Sequence, residues 1–474
     1  MIDLPTPHLK GTEQRGPLYA AVWRWHFYAG LFVAPFFLIA ALSGIVMALK
    51  TPIEALAYGD RLYVTAQEAI LNPSDQMASV LHAYPHSEIL TYIPPKTSTN
   101  SAQFMVATHS GHHQADHGSD HSGGDATTIY VNQYTGAVLG SLDPSKTLYS
   151  YARKLHGSLF MGSLGDYLIE IAAGFGIVLI VTGLFLWTPR GGQSLTSALT
   201  PKLKQKNRAG WRGLHAPVGF WVSFVMLFFL FSGLSWTPFW GGKLVQAWSS
   251  FPAARLAAPV SDLSHDALNL DDQRNVPWAL EQTPLPVAHV HGQHKKGGLD
   301  LDEIVALAHA KGFTGFRVHF PKAETGAWTI AAATISADIS DPRRDRTIHV
   351  NASTGEIIAD IGFADYSLMG KAMAAGVPLH QGDLGAWNIS LNVVFCLAVI
   401  TMIISGVAMW LLRRPKKSFR LAPPPTGQPS WRSATLVMLA VSAFFPLTAA
   451  AIALVICADY LFFSQLPKLA RAKT

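Results

Sequence analysis

Trp23-Arg24-Trp25-His26, with Gly30 and Ser43-Gly44 downstream, returns as Trp211-Arg212-Gly213-Leu214-His215, with Gly219 and Ser232-Gly233 downstream. From each histidine the first glycine lies four residues on and the second eighteen. A second pair of stretches matches in the same way: Thr182-Gly183-Leu184-Phe185-Leu186-Trp187 and Ser405-Gly406-Val407-Ala408-Met409-Trp410, preceded by Leu155-His156 and Leu379-His380. A third match joins Thr128-Ile129-Tyr130-Val131-Asn132, then Thr135-Gly136, to Thr347-Ile348-His349-Val350-Asn351, then Thr354-Gly355. Self-similarity over this length predicts two copies of one structural unit.

The flanking sequence says what kind of unit. Of 474 residues, 49% are hydrophobic and only 14% charged, against roughly 25% charged in soluble domains; the mean hydropathy is +0.23. Five segments, 27–49, 167–187, 217–239, 387–412 and 434–463, are apolar over the ~20 residues that a bilayer requires. The first is too long for a signal-peptide core and has no small-residue cleavage site, so it reads as a retained span. Lysine and arginine cluster before the first span (residues 1–26), between the second and third (188–216) and between the fourth and fifth (413–433). The positive-inside rule makes these cytoplasmic and both long connections, 50–166 and 240–386, external. The side of the tail, 464–474, stays open because Pro446 allows the fifth segment to be one kinked helix or a hairpin. The net charge of +6 is thus a topology signal and does not point to nucleic acid.

Each long connection reads as a small α+β module. The first offers a helix around 75–83 and strands at 88–93, 102–107 and 128–132. The second offers a helix at 301–311 and strands at 315–320, 327–333 and 347–351, with Thr-Gly turns closing the matched strands. The expected fold is therefore a mainly α-helical membrane protein, duplicated as span, external α+β module, span. The halves are parallel repeats about a pseudo-two-fold axis along the membrane normal, and an extra C-terminal span follows.

Histidines carry the candidate chemistry, since an ionisable side chain in a span defaults to function. Eighteen residues are five whole helical turns at 100° per residue, so His26 and Gly44 share a face, with Gly30 close to it, and His215, Gly233 and Gly219 do likewise. Such a glycine leaves room for a flat macrocycle, and two neutral imidazoles across a symmetry axis suit axial ligation of haem iron. The expected partners are His26 with His215 and His156 with His380, one pair toward each membrane face. The bland alternative is interfacial anchoring, with the glycines serving helix packing. His109, His112, His113, His117 and His121, with Asp116 and Asp120, form a low-complexity candidate for a separate divalent metal, or a solvated hairpin tip. His289, His291 and His294 echo it weakly. Arg343, Arg344 and Arg346 could attract an anion. Cys396 and Cys457 sit singly in apolar runs and make no disulfide framework. No Gly-x-Gly-x-x-Gly, P-loop or Gly-x-Ser-x-Gly is present.

From Trp23 to Pro415 the arrangement resembles the PepSY-associated transmembrane family, or iron-regulated membrane proteins, which includes inner-membrane ferric-siderophore reductases. The resemblance rests on Trp23-Arg24-x-His26, the two Asn…Thr-Gly turns, Leu155-His156-Gly157, His215 and His380. It implies a bacterial inner-membrane protein with PepSY-like periplasmic modules and two haems b held by His26, His215, His156 and His380. It further implies a cytoplasmic or membrane electron donor and reduction of a ferric siderophore or other ferric chelate. The fifth span and the histidine-rich insertion depart from the simplest family pattern. Two other readings stay open: a non-enzymatic regulator whose modules bind a peptidase or another partner, and a periplasmic metal-handling protein.

Overall fold

The computed structural model describes residues 17–108, 126–189, 194–202, 207–242, 259–269, 275–288, 298–322, 325–414, 440–441 and 443–458. In chain order the first half contains α1 (Pro17–Ala48), α2 (Lys50–Leu62), α3 (Pro73–Ala83), β1 (Ser87–Ile93), β2 (Ala102–Thr108), β3 (Ala126–Val131), β4 (Val138–Leu142), α4 (Leu148–Ser158) and α5 (Ser163–Trp187). A short α6 (Leu195–Leu199) leads to α7 (Arg208–Leu234), β5 (Val260–Ser264), β6 (Pro284–Pro286), α8 (Leu301–Ala310), β7 (Arg317–His319), β8 (Ala327–Ala332), β9 (Arg346–Asn351) and β10 (Ile357–Gly362). Then come α9 (Leu368–Gln381), α10 (Ala386–Arg413) and α11 (Pro446–Ala458). The chain divides into a helical unit, Met1–Ala41, Met161–Thr237 and Leu397–Thr474, and a sheet unit, Leu42–Phe160 and Pro238–Cys396.

Among the described residues four helices are long and apolar enough to cross a membrane: Leu18–Ala48, Ser163–Trp187, Arg208–Leu234 and Ala386–Arg413. Helix α7 starts well before its apolar stretch because a cap, and not hydropathy, sets that end. In α7 the Asn207 side chain accepts from the Ala209 and Gly210 amides, so the helix starts there and not at residue 217. The expected fifth span, 434–463, is described as α11 with 13 residues plus fragments; its remaining residues lie outside the description.

Packing in the helical unit is the inverse of a soluble core. Large side chains such as Phe32, Val181, Trp221, Phe224 and Leu411 face outward, while α5 buries Ala172, Ala173, Gly174, Gly176 and Thr182. A methyl on Gly176 would meet Phe37 at 2.7 Å and Leu230 at 3.0 Å, and one on Gly174 would strike Thr448 of α11. Small residues let α1, α7 and α11 close on α5 without a hydrophobic drive from water.

The sheet unit differs from the expectation of two separate modules. Its strands form one antiparallel eight-stranded sheet, ordered β10-β9-β8-β7-β1-β2-β3-β4. The joint is β1 against β7, with Thr91 opposite His319 and Tyr92 opposite Val318. Helices α3 and α8 pack together, the Ser74 amide donating to Asp302 at 2.8 Å. One continuous core runs beneath them, from Val80, Phe104, Ile129 and Val131 to Ile304, Phe313, Ile330, Ile348 and Val350. The matched turns have a mechanism. Asn132 Oδ1 accepts from the Tyr134 amide and Asn351 Oδ1 from the Ser353 amide, both at 2.9 Å. Gly136 (φ +72°) and Gly355 (φ +78°) then take the left-handed conformation that ends each turn.

Candidate functional site

In the helical unit His26 of α1 and His215 of α7 stand together, ring centres 6.5 Å apart and planes at 90°. His26 Nδ1 lies 3.0 Å from Thr182 Oγ1 on α5, and His215 Nδ1 lies 2.8 Å from Ser405 Oγ on α10. The hydroxyls fix the tautomers. Thr182 already donates its proton to the Val178 carbonyl at 2.6 Å and Ser405 donates to that of Met402 at 3.0 Å. Each hydroxyl must therefore accept from Nδ1–H, which puts the lone pair of both neutral rings on Nε2. Gly183 and Gly406 follow these hydroxyls. A methyl at either would come within 3.1 Å of the His26 ring or 3.7 Å of the His215 ring.

In the sheet unit His156 of α4 and His380 of α9 form the corresponding pair, centres 6.3 Å apart and planes at 87°. His156 Nδ1 faces Ser43 Oγ at 3.1 Å, and a methyl on Gly44 would lie 3.6 Å from the same ring. Helix α4 begins on a Thr147 cap and α9 on a Ser367 cap. The last carbonyls of α9 have no donors within the helix. Two buried amides of α10 supply them, Asn388 to Leu379 at 2.8 Å and Asn392 to His380 at 2.9 Å, and this fixes where His380 sits. Burial first, and His156 second, hold the His380 pKa down to about 3, so the ring is neutral. Three residues on, burial pushes Asp383 up to about 6 although Lys50 and Lys96 oppose the shift. Lys50 itself lies over the Tyr149 ring at 4.5 Å. Chemically, each pair places two imidazoles where one metal centre could take both.

Other expectations fare differently. A methyl on Gly30 would lie 3.7 Å from Leu179, and one on Gly219 would lie 2.8 Å from Met402. Gly44 belongs with His156 and not with His26. His156 and His380, which the sequence analysis places in no element, lie on helices α4 and α9. Arg346 is paired bidentately with Asp360 and Arg343 with Asp341, and Arg344 donates to Thr314, so these arginines mostly have partners already. Residues 109–125 and 289–297, and with them the His109, His112, His113, His117 and His121 candidate and the weaker His289, His291, His294 echo, lie outside the described residues. Sequence reasoning missed Thr182, Ser405 and Ser43 as histidine partners, although a hydroxyl followed by glycine recurs in all four spans.

No curated protein matches the chain. The family model described as PepSY-associated TM region matches residues 23–413, from the first Trp-Arg motif to the end of α10. That stretch contains both histidine pairs, their three hydroxyl partners and the whole eight-stranded sheet, and the chain is accordingly a membrane protein belonging to the PepSY-associated TM region family.

Proposed function

We propose that the protein is a haem-b electron carrier of a bacterial inner membrane, passing electrons from a cytoplasmic-side donor to a ferric siderophore or similar ferric chelate in the periplasm. The observation that carries this reading is the spacing of the two histidine pairs. A metal–nitrogen bond of about 2 Å, added on each side to the roughly 1.2 Å from Nε2 to the ring centre, separates two trans imidazole centres by about 6.4 Å. The observed separations are 6.5 and 6.3 Å. His26 with His215 would hold one haem, and His156 with His380 the other. Haem iron supplies reversible one-electron chemistry; the chain's own residues orient the ligands and keep them neutral. Thr182 and Ser405 hold the rings with Nδ1 protonated, as outer partners of metal-bound histidines do. Reduction releases iron because hard oxygen donors favour Fe(III) over Fe(II).

The basic connections support periplasmic placement of both long connections. Repeat architecture is supported by the shared order helix, four strands, helix, apolar helix on either side of the β1–β7 joint. The test is a visible spectrum of the purified protein made with ample haem supply. A Soret band, with α and β bands that sharpen on reduction and decay on adding a ferric chelate, is the expected result. A colourless protein would overturn the reading and leave a binding or regulatory role.

The hydroxyl partners give a finer expectation. Thr182→Val and Ser405→Ala should retain haem but raise the midpoint of that centre. Losing an acceptor for Nδ1–H makes the imidazole a weaker donor and disfavours Fe(III). A net hydrogen bond of about 1 kcal/mol, at 59 mV per tenfold change for one electron, corresponds to roughly 40 mV. Redox titration reads it, and an unchanged midpoint in both variants would deny the hydroxyls this role.

A further inference from the structure

Between α2 and the connection from β1 to β2 lies a cavity of about 210 Å³, whose polar lining includes Thr51, Glu54, Tyr63, Lys96, Asn100 and Gln103. Its walls are fixed. The Ser101 amide donates to the Leu62 carbonyl at 3.0 Å and the Val64 amide to that of Thr99 at 2.9 Å. Gln133, 1% exposed, holds the connection through its Nε2, which faces the carbonyls of Thr97 and Ser98 at 3.2 Å and that of Asn100 at 2.7 Å. Thr51, Tyr63 and Lys96 are exposed, so they form the rim through which the cavity meets solvent.

This lining is rich in donors: hydroxyls from Thr51 and Tyr63, an ammonium from Lys96, and amides from Asn100 and Gln103. Asn100 Oδ1 already accepts from the Thr97 hydroxyl at 2.7 Å, which leaves its NH2 to donate. Glu54 is the carboxylate of the lining; burial raises its pKa, and Lys50 one turn back opposes the shift. The cavity also lies near the His156–His380 pair. A methyl on Gly44 would lie 3.6 Å from the His156 ring, and one on Gly382, two residues past His380, would lie 3.7 Å from the Ala48 Cα. Thr51 follows Gly44 by seven residues, or about 10 Å of helix rise. The Asp383 charge is felt at Lys96 and at Lys50.

We infer that this cavity is where a ferric chelate docks, taking one chelating arm whose pair of anionic oxygens accepts from Lys96, Asn100 and Gln103 while the rest of the complex stays in solvent. The inference rests on the electron-carrier reading and names its acceptor site. Volume sets the mode of binding. At about 30 Å³ per water the cavity holds roughly seven waters, enough for one bidentate arm and too little for a whole hexadentate complex. Charge sets the part played by the lysine. One electron passes from ferrous haem to the chelate, leaving the haem iron ferric and the chelated iron ferrous, with no bond formed or broken. The complex gains one negative charge, and an ammonium beside it favours the reduced form.

The duplication predicts one such site per chain. Lys96 stands three residues past the end of β1 and Lys322 three past the end of β7, each directly after a proline. Lys322 donates to the Ala267 carbonyl at 2.7 Å, so in the second half the segment that carries β5 and β6 supplies an oxygen to the lysine. In chain order α2 stands where β5 and β6 stand, and beside it the position is a cavity. Lys96 reaches the Ala337 carbonyl with one of its three N–H donors, which leaves two for an incoming oxygen.

The test uses the full-length protein in detergent and the gallium(III) complex of a trihydroxamate, which has the shape of the ferric complex and accepts no electron. Isothermal titration calorimetry should show one complex bound per chain. Lys96→Gln should weaken binding by about tenfold, as loss of a hydrogen bond from a charged group does. Thr51→Trp, which fills the cavity from an exposed helix position, should abolish it, and both variants should elute as their parent does. In haem-loaded protein both should raise KM for the ferric complex and leave the haem midpoints unchanged. Gallium binding needs no haem, so a colourless protein whose binding responds to both variants would sink the carrier reading and leave a chelate site standing. No binding by the parent, undiminished binding in either variant, or equal affinity for the metal-free trihydroxamate would overturn the docking site and leave the carrier reading untouched.

Discussion

Alanine at His26 and alanine at His215 should abolish the same redox centre, and the double variant should lose nothing more. One haem iron needs both imidazoles, and these two rings stand 6.5 Å apart on α1 and α7. His156 and His380 stand 6.3 Å apart on α4 and α9, so alanine at either should abolish the other centre, with a separate midpoint. Each single variant should keep the haem it does not ligate, yet electron delivery to an external ferric chelate should fall to background in all four. Haem content and redox titration of four singles and two doubles make the measurement. Depletion of one common centre by His26→Ala and His156→Ala, with His215→Ala sparing it, would sink both the pairing and the carrier scheme.

That His26 lies beside His215, and His156 beside His380, was legible in the sequence because it follows from repetition. A histidine at matched depth in two matched spans has few candidate partners except its counterpart. The spans were legible too, since membrane helices satisfy their own backbone and announce themselves by composition. What stayed hidden depends on neighbours that sequence spacing does not encode. Helices α4 and α9, of 11 and 14 residues, are too short for a reading tuned to spans of about 20. The joint between β1 and β7 rests on two residue pairs separated by more than two hundred positions, and no local pattern announces it. Alternation in Thr347-Ile348-His349-Val350 reads as one buried and one wet face, but the β5–β6 segment covers the polar face, and Thr347 and His349 are as buried as Ile348. The side chains nearest Gly30 and Gly219, Leu179 and Met402, could not be named from spacing. Periodicity gives the direction of a helix face and not the identity of what packs there.

Replacing Asp338 with alanine is expected to destabilise the sheet unit by about 3–5 kcal/mol, through a mechanism independent of any cofactor. Arg317 on β7 donates to Asp338 twice, Nε to Oδ2 at 3.0 Å and Nη2 to Oδ1 at 2.8 Å, and the two side chains are only 6% and 2% exposed. Its remaining bonds run to the Ser336 carbonyl at 3.0 Å and to the Asn275 side chain, neither of which carries charge. Without Asp338 the guanidinium stays buried and uncompensated. The surrounding loop cannot follow it, because Gly315 packs so closely on the Asp338 carbonyl that even a methyl would collide with it. Replacing both partners with apolar residues, Arg317→Met with Asp338→Leu, removes the charge as well as the bond and should cost much less than the single change. Limited proteolysis of the full-length protein reads the difference, since cleavage under rapid opening and closing tracks the open population. Cleavage within the sheet unit should accelerate by on the order of 10²–10³-fold for Asp338→Ala and far less for the double variant. Equal rates for the two would mean that the bond, and not the stranded charge, sets the cost.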